Sequence, residues 1–311
     1  MTTAFIFPGQ GSQSIGMLSE LASNYSLVSE LFSAVSERIG YDLWALIQEG
    51  PEALLNQTEH TQVAMLVSDV AVFRVIQQQR PVHAAMMAGH SLGEYAALVC
   101  AGALSLADAA ILVGTRGRLM QETVPVGKGA MAAIVGLSDD DVDLLCKEIS
   151  TPEQQVTPAN YNAIGQVVIA GHTAAVQAAV SKANEMGARM AVIIPVSVPC
   201  HCSLLKEAAE QFSEHLQTTA FKIPMLPIVS NVDLSVYHSV DEMRSLLKEQ
   251  LYRPVRWVET IRLMKNNGIE RFVECGPGKV LSGLVKRIDK SLVVLNVNDQ
   301  ASLDLALENI Q

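Results

Sequence analysis

Short apolar runs that end in glycine turns alternate with longer amphipathic stretches along much of the chain. Residues 4–7 and 84–88 are such runs, and each leads through a glycine turn into helical periodicity. Continuous apolar runs of this length are typical of strands buried on both faces, and a strand–turn–helix order predicts a parallel sheet covered by helices. The same rhythm returns near the end of the chain, with predicted strands at 226–230 and 271–274 and predicted helices at 278–289 and 301–310.

The segment 127–197 follows a different pattern. Ser138 precedes three aspartates, which suit a helix N-terminus because the N-terminal end of the helix dipole is positive. With helices from 139 and at 173–186, and strands at 130–136, 156–161, 166–170 and 189–196, the order is β-α-β-β-α-β, which is the ferredoxin-like pattern. We therefore predict an inserted ferredoxin-like subdomain at 127–197 and one large α/β domain formed by 1–126 and 198–311.

Composition narrows the classes of protein to consider. Hydrophobic residues make up 49% of the 311 residues, which excludes a disordered chain, and the net charge of -10 argues against a nucleic-acid binder. No apolar run reaches the ~20 residues of a membrane span. The N-terminus has no basic segment of the kind that begins a signal peptide.

The five cysteines indicate a compartment rather than a disulfide framework. Their number is odd and only Cys200 and Cys202 lie close together, so a reducing cytoplasm is the simplest location. The run Cys200-His201-Cys202 has no second ligand pair elsewhere in the sequence, so we expect no metal site.

A nucleophile is predicted at Ser91. The sequence Gly89-His90-Ser91-Leu92-Gly93 is a G-x-S-x-G motif between a predicted strand and a predicted helix, which is the setting of a nucleophile elbow. The amide of Leu92, at the start of the helix, would point to where an oxyanion forms. The turn at 9–16 lacks the third glycine of a dinucleotide fingerprint, and the amide of Gln10 is predicted to complete the oxyanion hole.

The sequence pattern identifies the general base for Ser91, the group that orients it and the role of Arg116 less clearly than it identifies the nucleophile. Of seven histidines, His201 follows a strand end, where open α/β sheets place their sites, and it is favoured over His172. No acid between serine and histidine stands out, so an uncharged group such as a backbone carbonyl is expected to orient the base. Arg116 lies close to the buried stripe of its helix and is expected to meet a carboxylate, either of the protein or of a ligand.

These motifs resemble those of the bacterial malonyl-CoA:acyl carrier protein transacylases, the loading enzymes of type II fatty acid synthesis. The resemblance extends over essentially all 311 residues and implies an α/β-hydrolase-like large domain with a parallel sheet beside the ferredoxin-like subdomain. The matching segments are FPGQGSQ at 7–13, GHSLGEYAAL at 89–98, TRGRLMQ at 115–121, GAMAAIVGL at 129–137, NAIGQVVIAG at 162–171, SVPCH at 197–201, SNVD at 230–233, QLYRPVRW at 250–257 and ECGPGKVL at 274–281.

The resemblance implies a role for individual residues of the reaction site. Ser91 would be the nucleophile and His201 its base. The main-chain carbonyl of Gln250 would orient that base, which fits the missing acid. The amides of Gln10 and Leu92 would form the oxyanion hole.

The same resemblance implies the substrate pocket. Arg116 would pair with the free carboxylate of the malonyl group, while Met120 and Val280 would line the pocket. Asn162 would lie near the pantetheine arm. Cys200 stands where close relatives often carry serine, which leaves the histidine in place but changes its neighbour.

The activity implied is a ping-pong transfer of malonyl from malonyl-CoA to Ser91 and then to the phosphopantetheine thiol of acyl carrier protein. No permanently bound cofactor is expected, because malonyl-CoA is a substrate and the phosphopantetheine belongs to the partner. We expect a monomer. The alternatives are a serine hydrolase of the thioesterase or lipase type, a polyketide-type acyltransferase with another extender unit, and a non-catalytic module that binds the carrier.

The distribution of charge points to where an acidic carrier would dock. Residues 251–290 hold nine basic and four acidic residues, a local net charge of +5 within an acidic chain. Lys286 and Arg287 lie together on one predicted helix. We therefore expect this segment to dock the carrier and the CoA phosphates, the alternative being an ordinary solvated face.

Overall fold

The computed structural model describes residues 1–125, 127–196 and 198–310, and its strands form two separate sheets. The first sheet has the order β7-β2-β1-β8-β9 and the second the order β4-β5-β3-β6. The strands are β1 Thr3–Phe7, β2 Met86–Gly89, β3 Gly129–Val135, β4 Val156–Ala163, β5 Gln166–His172, β6 Met190–Ile194, β7 Ile228–Val229, β8 Arg271–Cys275 and β9 Val293–Val297.

Helices cover the first sheet on both faces and the second sheet on one face. A short 3₁₀ turn at Ser203–Leu205 precedes the tenth helix. The helices are α1 Ser19–Asn24, α2 Ser26–Ile39, α3 Leu43–Glu49, α4 Glu52–Leu55, α5 Thr58–Gln79, α6 Gly93–Cys100, α7 Leu106–Thr123, α8 Asp139–Ile149, α9 Thr173–Glu185, α10 Lys206–Thr218, α11 Val240–Glu249, α12 Trp257–Asn266, α13 Val280–Ile288 and α14 Gln300–Asn309.

The first sheet is parallel at every pairing, and its central strand β1 is completely buried. Successive side chains of a strand point to opposite faces, so Phe5 and Phe7 pack in one core and Ala4 and Ile6 in another. The rings of both phenylalanines meet Phe73 of α5 edge to face. Burial on both faces explains why this strand is a continuous apolar run.

Helix α5 lies inside the large unit and carries polar residues into it. Most of its length is buried, which is typical of a helix enclosed by other elements. Gln62 and Asp69 are among its buried polar side chains. Gln62 faces the cavity described below, so this buried helix contributes to the site as well as to the core.

The second sheet is antiparallel and is joined to the large unit beside the site. Its helices α8 and α9 enclose one apolar core with the sheet, and a smaller cluster that includes Met131 and Val168 lies in a separate core. The main chain of Val255 donates to Ala159 and accepts from Tyr161, each at 2.9 Å, so strand β4 is tied directly to the segment before α12.

Most of the predicted elements are confirmed to within a few residues. Ser138 caps α8 as expected, because its hydroxyl oxygen accepts the amide hydrogen of Asp141 at 3.1 Å. The boundaries predicted at residues 126, 197 and 311 lie outside the described residues. The second sheet itself runs from Gly129 to Ile194, inside the predicted segment 127–197.

Candidate active site

A cavity of about 220 Å³ lies between the two sheets. A water molecule occupies about 30 Å³ in the liquid, so this space is large enough for a small acyl group. One side is polar and carries Ser91, His201 and Arg116. The other side is the apolar face of the second sheet, with Met131 and Val168 among its lining residues.

Ser91 lies in a sharp turn between β2 and α6. Its φ of 53° is in the left-handed region, which costs energy for a residue with a side chain and is found at functional turns. A Cβ atom at Gly89 would lie 1.8 Å from the main-chain carbon of Gly93, and one at Gly93 would lie 2.0 Å from the carbonyl oxygen of Phe7. The two glycines of the motif are therefore required by close approach of the backbone.

The side chain of Asn231 holds this turn with two hydrogen bonds. The amide of Ser91 donates to its Oδ1 at 2.7 Å, and its Nδ2 donates to the carbonyl oxygen of Gly89, also at 2.7 Å. The two bonds satisfy main-chain groups that the turn leaves without secondary-structure partners.

His201 contacts Ser91 directly. The hydroxyl of Ser91 lies 2.7 Å from Nε2, and Nδ1 lies 2.7 Å from the main-chain carbonyl oxygen of Gln250. Because a carbonyl only accepts, Nδ1 carries the hydrogen and Nε2 presents a lone pair to the serine. His172 lies elsewhere, at the start of α9, where its Nδ1 accepts the amide hydrogen of Gln155 at 2.9 Å.

The environment of His201 keeps its ring uncharged. Burial, followed by the positive charge of Arg116, lowers the pKa of His201 from 6.5 to about 3. A neutral imidazole can accept a proton from the serine hydroxyl, whereas an imidazolium cannot.

The two amides predicted for the oxyanion hole belong to residues that line the cavity beside Ser91. They are those of Gln10, in the turn after β1, and of Leu92, at the start of α6. Among the described residues neither amide nitrogen has a hydrogen-bond acceptor. Both donors are thus available to an oxygen atom in the cavity.

Arg116 is buried, with 1% of its surface exposed, and it meets neutral groups. Its Nη1 donates to Oε1 of Gln62 at 2.8 Å and its Nη2 to Oε1 of Gln250 at 3.0 Å. In the described part of the chain no carboxylate forms an ion pair with it, so the internal salt bridge that the sequence left open is not present. A buried guanidinium that no described carboxylate contacts directly favours an anionic ligand.

The other predicted residues divide between the cavity and the surface. Val280 and Asn162 line the cavity, and Oδ1 of Asn162 lies 2.8 Å from Nε2 of His90. Met120 was expected at the wall but is not among the lining residues: it is buried, and its sulfur contacts Nε2 of Gln62 at 3.5 Å. Cys200 also lines the cavity.

The predicted docking residues lie on the exposed side of α13. Lys286 donates to the carbonyl oxygen of Leu292, and Arg287 to the side-chain oxygen of Gln166 in the second sheet. Both residues remain exposed. The inward side of the same helix contributes Leu281 to the cavity wall.

Sequence reasoning missed a buried carboxyl group behind the nucleophile. Glu94 is 1% exposed, and its Oε2 accepts from Nε2 of Gln250 at 2.7 Å. Its other oxygen accepts from the hydroxyl of Tyr237. Burial is the main cause that raises the pKa of Glu94 to about 7. The available signal was an acid within the Ala-rich run that follows the elbow.

A family model described as "Acyl transferase domain" matches residues 4–305. The chain belongs to the acyl transferase family. Relatives within it include the malonyl CoA-acyl carrier protein transacylase of Escherichia coli (strain K12), which is 49% identical over 305 residues that cover 98% of each chain. That of Bacillus subtilis (strain 168) is 40% identical and covers 99% of this chain and 97% of its own. The resemblance seen in the sequence is thereby confirmed.

Solved structures of acyl transferase family members have the same mixed α/β fold. The malonyl CoA-acyl carrier protein transacylase from Coxiella burnetii matches with a TM-score of 0.98 and 45% identity, over 100% of this chain and 98% of that one. A malonyl-transacylase in complex with its type II PKS acyl-carrier protein matches with a TM-score of 0.97 and 48% identity, over 99% and 100% of the two chains.

Metal-binding clusters and membrane-spanning helices are both absent from the described residues. Within residues 1–125, 127–196 and 198–310, no group of three or more His, Cys, Asp and Glu side chains is arranged to hold a metal ion. The helices of those residues are all too short or too polar to cross a bilayer.

Proposed function

We propose that the chain transfers a malonyl group from malonyl-CoA to the phosphopantetheine thiol of acyl carrier protein, through a malonyl ester of Ser91, and so supplies fatty acid elongation. The observation that carries this proposal is the placement of Ser91, His201 and Arg116 in one cavity, with no carboxylate of the described residues in contact with Arg116. Relatives that are named for this activity and match 98% of the chain support it.

In the first half-reaction, Ser91 attacks the thioester carbonyl carbon of malonyl-CoA. As the C–O bond forms, the hydroxyl proton moves to Nε2 of His201, and the amides of Gln10 and Leu92 stabilise the oxyanion. The tetrahedral intermediate collapses by breaking the C–S bond. CoA leaves with the proton that His201 returns, and the malonyl group stays on the serine oxygen.

The second half-reaction reverses these roles. The thiol of the carrier's phosphopantetheine gives its proton to His201, and its sulfur attacks the ester carbonyl of malonyl-Ser91. Breaking of the C–O bond returns the proton to the serine oxygen and leaves malonyl on the carrier. The carbonyl of Gln250 stabilises the transient imidazolium and holds the ring in one orientation throughout.

Arg116 selects the acyl group. Each of its terminal nitrogens carries two hydrogens and donates one to a glutamine, so each retains a donor that a ligand carboxylate can use in a bidentate pair. An acetyl group would occupy the same space and leave the buried guanidinium without an anion. Val280 and Asn162 are assigned to the substrate wall, and Met120 supports that wall through Gln62.

The carrier docks on the exposed side of α13, which lies next to the cavity wall. Several basic residues of 251–290 form salt bridges with nearby acids, namely Arg253–Glu249, Arg256–Glu259 and Lys265–Asp289. The exposed cations on and beside α13 have no such carboxylate partner among the described residues; they are Lys279, Lys286, Arg287 and Lys290. An acidic carrier and the phosphates of CoA suit this surface.

The proposal includes the finer description of the molecule. The order β4-β5-β3-β6 supports a ferredoxin-like subdomain at 127–197, and the parallel sheet that carries the elbow supports an α/β-hydrolase-like domain formed by 1–126 and 198–311. The enzyme acts as a cytoplasmic monomer, holds no permanent cofactor, and has five free cysteines, as suits a reducing compartment.

The test is a transfer assay with malonyl-CoA labelled in the malonyl group and a purified holo acyl carrier protein. We expect labelled malonyl-carrier to accumulate and free malonate to stay near background, with no product from Ser91→Ala. Fast release of free malonate would show a hydrolase instead. Binding of the carrier without transfer of label would show a non-catalytic module. Preference for a branched acyl-CoA would show a different extender specificity.

A further inference from the structure

The side chain of Gln250 joins the nucleophile turn to the arginine. Its Nε2 donates to Oε2 of Glu94 at 2.7 Å and to the carbonyl oxygen of Ser91 at 3.0 Å. Its Oε1 accepts from Nη2 of Arg116 at 3.0 Å. The main-chain carbonyl of the same residue accepts from His201, so Gln250 serves two groups through two different parts of the residue.

The hydrogen bonds fix the orientation of the Gln250 amide. Rotating the amide by 180° would turn its NH₂ group toward the Arg116 guanidinium, which only donates, and its oxygen toward two acceptors. Glu94 and the carbonyl of Ser91 are the acceptors that exclude the rotated form. The main-chain carbonyl is set separately, because the amide of Gln250 is held by the carbonyl of Leu246 at 2.9 Å at the end of α11.

We propose that Glu94 is a positioning residue: its Oε2 holds the Gln250 amide, and thereby the Arg116 guanidinium, in the orientation that receives the carboxylate of the acyl donor. This inference rests on the function proposed above and deepens it. Glu94 acts through Gln250 on the acyl-group selectivity of the cavity. The base His201 is not part of this chain of contacts, because it uses the main-chain carbonyl.

The acceptor atom, rather than the negative charge, carries this role. Burial raises the pKa of Glu94 to about 7, so part of the population is protonated at neutral pH. A proton on Oε1 would face the hydroxyl oxygen of Tyr237 and would leave Oε2 as an acceptor for Gln250. A glutamine at this position can adopt the same arrangement, with its NH₂ toward Tyr237 and its oxygen toward Gln250.

The experiment compares malonyl-CoA with acetyl-pantetheine, which has no carboxylate, as acyl donors for Ser91. Oε2 of Glu94 also accepts from the main-chain amide of Asn231 at 3.3 Å, and loss of that bond would affect loading from both donors equally. Glu94→Met removes the acceptor, and we expect KM for malonyl-CoA to rise on the order of tenfold relative to any change in acetyl loading, as for loss of a hydrogen bond that holds a charged group. Glu94→Gln should restore most of the malonyl preference. Tyr237→Phe is the matched control, because it removes a partner of Glu94 without touching Gln250, and it should keep the preference.

Glu94→Asp gives the same test if Glu94→Met does not fold, since the shorter side chain withdraws the acceptor yet keeps an acid. An unchanged ratio of malonyl to acetyl loading in these variants would overturn the positioning role, as would an equal loss in Glu94→Gln or in Tyr237→Phe. The two proposals fail in different ways. If the wild-type protein does not transfer malonyl, the proposed function is refuted. If the wild type transfers malonyl but the Glu94 variants keep its acyl-group selectivity, only this inference is refuted.

Discussion

The buried polar wall of the cavity and the exposed side of α13 both carry positive charge, but they hold it differently. Arg116 is 1% exposed and is fixed by two side-chain hydrogen bonds, whereas Lys286 and Arg287 are exposed and each donates one hydrogen bond to a neighbouring segment. A charge in a low-dielectric cavity interacts strongly with a ligand, while water and salt screen an exposed charge. The buried group therefore suits selection of the acyl group, and the exposed groups suit steering of a partner.

The largest effect is expected from removal of the base. His201→Ala should lower the rate of Ser91 loading about a thousandfold, because His201 is the one described side chain that contacts the serine hydroxyl and can accept its proton. Rapid-quench measurement of acyl-enzyme formation checks this. His172→Ala is the control and should load normally; if it abolishes loading while His201→Ala does not, the base has been assigned to the wrong histidine.

The next largest effect tests the buried charge. Arg116→Ala should lower malonyl transfer about a hundredfold, since a charged hydrogen-bonded pair in a dry site is lost, and should raise acetyl transfer relative to malonyl. Competition between differently labelled malonyl-CoA and acetyl-CoA measures the ratio. If the variant has the same ratio of malonyl to acetyl transfer as the wild type, Arg116 does not determine the acyl-group selectivity.

The pH dependence of Ser91 loading tests whether the pKa of His201 is lowered. With an ordinary pKa of 6.5, the neutral form of His201 would fall about 30-fold between pH 8 and pH 5. With its pKa lowered to about 3, the ring stays neutral across this range, so loading of Ser91 by acetyl-pantetheine should be nearly flat. The neutral donor is chosen because its binding does not depend on Arg116. Because the pKa of Glu94 is raised to about 7, the series is run in parallel on Glu94→Gln. An inflection between pH 6 and pH 7 that persists in this variant would show that burial does not depress the pKa of the base.

The smallest effect belongs to the exposed surface. The double variant Lys286→Glu and Arg287→Glu should raise the apparent KM for acyl carrier protein by roughly three- to tenfold at low salt, with the difference shrinking at 0.5 M NaCl. Steady-state transfer at varied carrier concentration measures it. Lys147→Glu, an exposed charge reversal on α8, is the control and should leave KM unchanged. Equal effects from the two variants would show that the net charge of the protein, and not a docking surface on α13, determines KM for the carrier.

The sequence predicted the parts of the site that depend on local geometry. Ser91 follows from a five-residue motif between a strand and a helix, and the caps and strands of the second sheet follow from short-range patterns. By contrast, the bonds that join Glu94 to Gln250 and Asn231 to the elbow link residues more than 130 positions apart. No periodicity encodes such pairs, because they arise from packing of the completed fold.

The misses in the fold have a related cause. Strand β9 was not predicted, although Val293–Val297 is apolar except for Asn296, because it is a half-buried edge strand without a glycine turn after it. The contact of Gln62 with the sulfur of Met120 is likewise invisible in the sequence, because it depends on the packing of α5 against α7. Depth beneath a surface is a property of three-dimensional packing, which a one-dimensional pattern does not contain.

The central claim is that a malonyl ester of Ser91 lies on the path to the carrier. The most direct measurement is intact-mass and peptide-level mass spectrometry of the enzyme after malonyl-CoA is added and excess removed, followed by addition of holo acyl carrier protein. The account predicts a malonyl adduct on the peptide that contains Ser91, and its quantitative transfer to the carrier thiol. An enzyme that carries no adduct, or an adduct that the carrier does not remove, would contradict it.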